Sequence, residues 1–142
     1  MTTTEAQNKA FVLKAFDALF NKRDYVAAER FWSPVYIQHS AHIAPGREGL
    51  FELVKAAPKE LHYENALIVA DGDYVMLHGR FSGIGRPVNW VVGDILRIEN
   101  GLLAEHWVEN GLLAEHWDVI QDEATRESSK SGLPMFGDKF PA

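Results

Sequence analysis

The sequence predicts an α+β fold, with helices packed on one face of a curved antiparallel sheet. Three observations predict it. Apolar residues recur at helical spacing up to Ala57. From Leu61 onward, extended apolar segments alternate with hairpin turns. Helices followed by a run of strands is the order that segregates helices to one side of a sheet. A chain of 142 residues suits one domain, 1–142, and is short for two.

Thr4 and Gln7 form a capping box that starts the first helix, in which Val12, Leu13, Phe16, Leu19 and Phe20 make an apolar stripe ending near Asn21. Asp24 caps a short second helix with Tyr25, Ala28, Phe31 and Trp32 on its inner side, and Ser33-Pro34 stops it. Val35 to Gln38 reads as a short strand. A third helix runs from Gly46 to Ala57, carries Leu50, Leu53 and Val54, and is closed by Pro58. Strands are expected over 61–70 and 74–81, joined by the tight turn Asp71-Gly72-Asp73. A long apolar strand spans 88–98, and Glu99-Asn100-Gly101 turns the chain back into 102–107. Residues 122–142 are polar, with Gly and Pro, and are expected to form an extended tail packed through Leu133, Met135, Phe136 and Phe140.

Composition excludes several classes of function. Fourteen Lys and Arg against twenty Asp and Glu leave a net charge of −6, and no basic cluster exists to grip a phosphate backbone. No nucleic-acid partner is therefore expected. No apolar run approaches the roughly 20 residues of a membrane helix. The start Met1-Thr2-Thr3-Thr4-Glu5 lacks a basic segment leading into an apolar one, so no secretory signal and a cytoplasmic location are expected. The absence of cysteine removes disulfides, thiolate metal sites and a Cys nucleophile.

Residues 99–108 and 109–118 match at nine of ten positions, differing only at Val108 and Asp118. This is a tandem duplication, natural or engineered. An even-length insertion preserves side-chain alternation if a strand simply continues. Only one copy can pair directly with the strand before the turn. The other extends, loops out or exchanges with a second chain.

Asp94 is the leading candidate for chemistry. It shares a strand face with Val88, Trp90, Val92, Leu96 and Ile98, and Gly93 leaves space beside it. Burial raises a carboxyl pKa, which suits an acid or base near neutrality. The competing reading puts Asp94 at a bulge or strand edge, paired with Arg97 or Arg80. A two-residue turn puts Asp94 opposite Trp107, and a three-residue turn puts it opposite His106. His78 shares a face with Tyr74, Met76 and Arg80. His39 and His42 have ligand spacing but no third ligand follows, so no metal is expected. Trp90, Trp107 and Trp117 serve as core ahead of a ligand platform. No phosphate-binding loop or nucleophile elbow is present.

The segments Asp94-Ile-Leu-Arg97-Ile-Glu-Asn100-Gly101, Glu115-His116-Trp117-Asp118-Val-Ile-Gln121 and Tyr36-Ile-Gln38-His39, with the ending Ser129-Lys130-Ser-Gly132-Leu-Pro-Met135-Phe136, resemble the SnoaL-like polyketide cyclase family of the nuclear transport factor 2-like superfamily. The resemblance implies a cone, a strongly curved antiparallel sheet wrapped around the three N-terminal helices, with an apolar pocket in its mouth. It implies cofactor-free intramolecular aldol chemistry with an aspartate acid/base at the position of Asp94. His39 and His78 are then catalytic neighbours, and Tyr36, Trp90, His116 and Trp117 substrate contacts. It also implies homodimers formed through the sheet face. The chain departs from the family in having Ser40-Ala41 after Gln38-His39, and in the duplication within its last strand.

The expected function is therefore proton abstraction next to a carbonyl in a small apolar molecule, leading to aldol-type cyclisation or isomerisation, by an enzyme of the lyase or isomerase type. Two alternatives stand beside it. The chain binds a small apolar ligand without chemistry, or it is an engineered duplication variant made to study strand register or assembly.

Overall fold

The computed structural model describes residues 4–103 and 106–141, with the backbone alone for 100–103 and 106–110. Helix α1 (Glu5–Phe16) opens on the expected box: the Thr4 side chain accepts from the Gln7 backbone N–H, and the Gln7 side chain accepts from that of Thr4. Its last turn widens into a π-helical segment, Asp17–Asn21. There the Asn21 amide bonds both the N–H and the C=O of Tyr63, tying the helix end to the sheet. Helix α2 (Tyr25–Ala28) is capped by Asp24.

The next strand starts earlier than the sequence suggests. Strand β1 covers Trp32–Gln38 and includes Pro34. It lies at the sheet edge, where a missing N–H is tolerated. Trp32 is thus a strand residue and not part of α2. Helix α3 (Gly46–Ala56) buries Leu50, Phe51 and Val54. Strands β2 (His62–Asp71), β3 (Tyr74–Ser82), β4 (Trp90–Leu103) and β5 (His106–Asp122) complete the set, with Gly72 at φ +58° in the β2–β3 turn.

The five-stranded sheet has the order β1-β5-β4-β3-β2 and is open, with β1 and β2 as edges. It is not wholly antiparallel, because β1 runs parallel to β5. Bulges after Asn65 and Arg97 disturb the ladders, and such extra residues sharpen the bend of a sheet. The helices lie against the inner face. Val12, Phe16 and Leu19 meet Leu50, Val54, Tyr63, Val75, Leu77, Leu96 and Leu113 in one core. Gly79 is part of this fit, since a Cβ there would come within 2.4 Å of the Tyr63 ring.

The repeated segment lengthens the β4–β5 hairpin. The second copy pairs with the body of β4: Asp94 faces Asp118, Leu96 faces His116, Arg97 faces Glu115 and Glu99 faces Leu112. The first copy folds back on itself, with Leu102 opposite Trp107 and Leu103 opposite His106. Neither Trp107 nor His106 lies opposite Asp94, and their side chains fall outside the described residues. Gly111, at φ +76°, marks the junction.

Beyond β5 the chain forms no further helix or strand among the described residues. Phe136 is buried and lies over the Arg80 guanidinium at 4.4 Å, and the Met135 sulfur accepts from the Ala124 N–H. Phe140 meets Arg126, while Leu133 is exposed. No described helix is long and apolar enough to cross a membrane.

Candidate acid–base site

Between the helices and the inner sheet face lies a cavity of about 300 Å³. Its walls are mostly apolar: Phe16, Phe20, Trp32, Leu50, Val54, Phe81, Trp90, Val92, Leu96 and Ile120. The polar side chains on its wall include Tyr36, His42, Asp94, His116 and Asp118. Strand alternation puts Asp94 there along with Val92 and Leu96, as the apolar pattern of β4 requires.

Asp94 is 4% exposed and His116 is 5% exposed. His116 Nε2 lies 2.7 Å from Asp94 Oδ1, and His116 Nδ1 lies 2.6 Å from Gln38 Oε1. The second carboxylate oxygen, Asp94 Oδ2, has no hydrogen-bond partner among the described residues; Trp32 Nε1 is in the same condition. Unpaired buried polar atoms are uncommon in native proteins and concentrate where a site has work to do. Burial pushes the Asp94 carboxyl above its ordinary range. The hydrogen bond and charge of His116 pull against this, and Asp118 adds to it. Burial also holds the Tyr36 hydroxyl well above its usual pKa, so it stays protonated. Tyr36 lies under the His116 ring, with centroids 6.5 Å apart, and its oxygen accepts from Gln38 Nε2 at 3.0 Å.

Asp118 Oδ2 is 4.0 Å from His116 Nε2. Asp94, His116 and Asp118 thus offer three ligand-type atoms within 4.8 Å of one another. The bonding direction of His116 Nε2 is already taken by Asp94 Oδ1, so a cation would have to displace that hydrogen bond.

Of the residues that the sequence singles out, the structure gathers Asp94, His116, Tyr36 and Trp90 on the cavity wall. It places His39, His78 and Trp117 on the opposite face of the sheet. Trp117 sits between two cavity residues on β5, so alternation turns it outward. His39 stacks on Trp117, with ring centroids 4.8 Å apart and planes 2° apart, and bonds Glu115 at 2.7 Å. His78 pairs with Gly93 on the outer side and lies 6.0 Å from the Phe136 ring. Gly93 likewise opens the outer face, where an added Cβ would meet nothing within 4 Å. The competing ion pairs for Asp94 do not form: Arg97 bonds Glu115, and Arg80 bonds Glu123 and Glu64.

Sequence reasoning missed two members of the site. Asp118 follows His116 by two residues, so alternation alone would have placed it beside that ring. Gln38 carries no local signal, because its partner is 78 residues away.

A family model for the SnoaL-like domain matches residues 12–106. A search of curated proteins gave no match. Among solved structures, the chain is similar to AclR from Streptomyces galilaeus, named as a candidate hydroxylase, at 26% identity and TM-score 0.62, covering 84% of this chain and 81% of that one. It is also similar to a candidate ketosteroid isomerase from Kribbella flavida DSM 17836, at 16% identity and TM-score 0.65, covering 97% and 93%. A third likeness is to a candidate SnoaL-like polyketide cyclase from Shewanella putrefaciens CN-32, at 17% identity and TM-score 0.62, covering 80% and 89%.

Proposed function

The chain belongs to the SnoaL-like domain family, and from that premise we propose that it is a cofactor-independent enzyme in which Asp94 moves a proton next to a carbonyl of a small apolar substrate. The observation that carries this reading is the buried Asp94 carboxyl on the cavity wall, bonded to His116 through one oxygen and unpartnered at the other. A desolvated carboxylate is a stronger base than one in water, and its conjugate acid survives to higher pH, so one group can serve as base and then as acid.

In the proposed reaction Asp94 takes the proton from the carbon next to the carbonyl. His116 supports the charge that Asp94 carries before this transfer. The Tyr36 hydroxyl, which accepts from Gln38, keeps its own hydrogen free to meet the developing enolate oxygen. In an aldol closure the proton returns to the new alkoxide, and in an isomerisation it returns to another carbon. Either way no external reductant or oxidant is consumed. Trp90 and the other apolar wall residues hold the substrate and keep water out. His39 and His78, on the outer face, take no part.

The test is hydrogen–deuterium exchange at the α-carbon of a panel of cyclic and polyketide-like carbonyl compounds, followed by NMR. The wild-type protein is expected to speed exchange for at least one compound. Asp94→Asn is expected to lose that activity by about 100-fold or more, the size of a general-base contribution, while still folding. Undiminished exchange in the Asn variant rejects the role. Binding of the compounds without exchange, unchanged in the Asn variant, would instead identify a non-catalytic binding protein.

We further propose that two copies pair through the outer sheet face. Support comes from the exposed apolar side chains of Ile37, Leu67, Val69, Met76 and Val119 on that side. Single exposed apolar residues are ordinary, but a contiguous group on one face marks a contact surface.

A further inference from the structure

The Gln38 side chain is fixed in orientation by groups that leave it no choice. Its Oε1 accepts from the Ser40 backbone N–H at 2.9 Å, and its Nε2 donates to the Tyr36 hydroxyl at 3.0 Å. A flipped amide would set its NH₂ against the Ser40 N–H, donor against donor. The oxygen therefore faces His116, and His116 Nδ1, 2.6 Å away, must carry a hydrogen to donate. The backbone holds this arrangement from both sides: Gln38 is in register with His116 in the parallel β1–β5 ladder, and the His39 N–H donates to the His116 C=O at 2.9 Å.

With Nδ1 protonated, neutral imidazole presents a bare lone pair at Nε2. That lone pair faces Asp94 Oδ1 at 2.7 Å. A second proton must lie between them, either on Asp94 with a neutral ring or on the ring with an ionised Asp94. A ring free to choose would put its single hydrogen on Nε2, donate to the carboxylate and leave the pair with a net negative charge in a buried place.

We infer that Gln38 is a positioning residue that fixes the His116 tautomer through Nδ1, so that the Asp94–His116 pair holds one shared proton and carries no net charge. The consequence for catalysis rests on the acid–base reading above; the tautomer itself does not. The pair then holds both a base, when the proton sits on His116, and an acid, when it sits on Asp94. The charged or titratable groups that face it are Asp118 on β5, Tyr36 on β1 and Tyr63 on β2, with His42 also on the cavity wall.

The first measurement is on the unmodified protein: nitrogen-15 spectra of labelled histidines, recorded from pH 5 to 9. The hydrogen of neutral His116 is expected on Nδ1, and a neutral ring with its hydrogen on Nε2 overturns the proposal. Gln38→Met removes the acceptor. It is expected to move the hydrogen to Nε2 and to lower the pH at which the pair releases its shared proton by about one unit, the worth of one charge-assisted hydrogen bond. Gln38→Glu keeps an acceptor at the same place and adds charge. It is expected to retain the Nδ1 hydrogen and raise that pH by a similar amount. The high-pH limb of the activity profile, where the pair loses its shared proton, should follow both shifts. Unmoved spectra in both folded variants overturn the proposal. If the predicted spectral shifts appear but activity does not depend on Asp94, the tautomer assignment stands and the acid–base reading fails.

Discussion

At the level of single residues, the site rests on one carboxyl kept out of water. Asp94 has a folded-state pKa raised above its unfolded value near 3.8. Such a group favours folding most when it is protonated in both states, and that advantage is lost as pH rises from about 4 through the raised value. Asp94→Asn should therefore be most favourable, relative to wild type, at high pH. Urea unfolding at pH 4 and pH 8 checks this: the stability of the Asn variant minus that of the wild type should increase between the two. A difference that falls or stays flat would mean that the His116 hydrogen bond outweighs desolvation. Asp94 was legible in the sequence because five apolar residues share its strand face. Gln38 was not, because a polar residue at the end of a short edge strand looks the same whether it faces water or a histidine from the far end of the chain.

At the level of elements, the β4–β5 hairpin decides which of two nearly identical segments builds the site. The second copy supplies His116 and Asp118 in register with Leu96 and Asp94, while the first pairs mainly with itself beyond the sheet. Removing residues 99–108 joins Ile98 to Glu109-Asn110-Gly111, a sequence suited to a tight turn. The shortened protein is expected to keep its exchange activity within about twofold and its Tm within a few degrees, because every site residue and its pairing partner remain. Activity assay and thermal melting check this; a loss of activity comparable to that of Asp94→Asn would show that the extension shapes the site. The sequence posed this question without answering it, since two copies with nine of ten residues in common have the same strand propensity. The parallel pairing of β1 with β5 was also hidden, because local sequence carries no mark of strand direction. The Thr4 capping box, the Asp24 cap and the Gly72 turn were legible because each depends on residues within a few positions of one another.

At the level of the whole molecule, the two faces of one sheet divide the labour. The inner face meets the helices and encloses the cavity. The outer face carries Ile37, Val69, Met76 and Val119, together with the His39–Trp117 stack and the tail anchored by Phe136 over Arg80. If the outer face joins two copies, Met76→Glu should halve the mass seen by light scattering at micromolar concentration. An unchanged dimer, or a wild-type protein that is already monomeric, would reject that interface. The same substitution should leave Asp94 and the cavity untouched, since β3 alternates Met76 outward and Leu77 inward.

The class of fold, the order of the elements, several of their ends and the acid among apolar neighbours are written in the sequence, because periodicity, caps and tight turns are local and survive without knowledge of the rest of the chain. Which histidine meets Asp94, which copy of the repeat supplies it and which face each candidate residue occupies emerge from the folded chain. Those outcomes depend on strand register and strand order, where a shift of one residue turns every side chain to the opposite face of the sheet. His39 and His78 were plausible neighbours of Asp94 by sequence and lie behind it in space; His116 lies beside it because β5 returns along β4 in the one register that places residues 94 and 118 opposite each other.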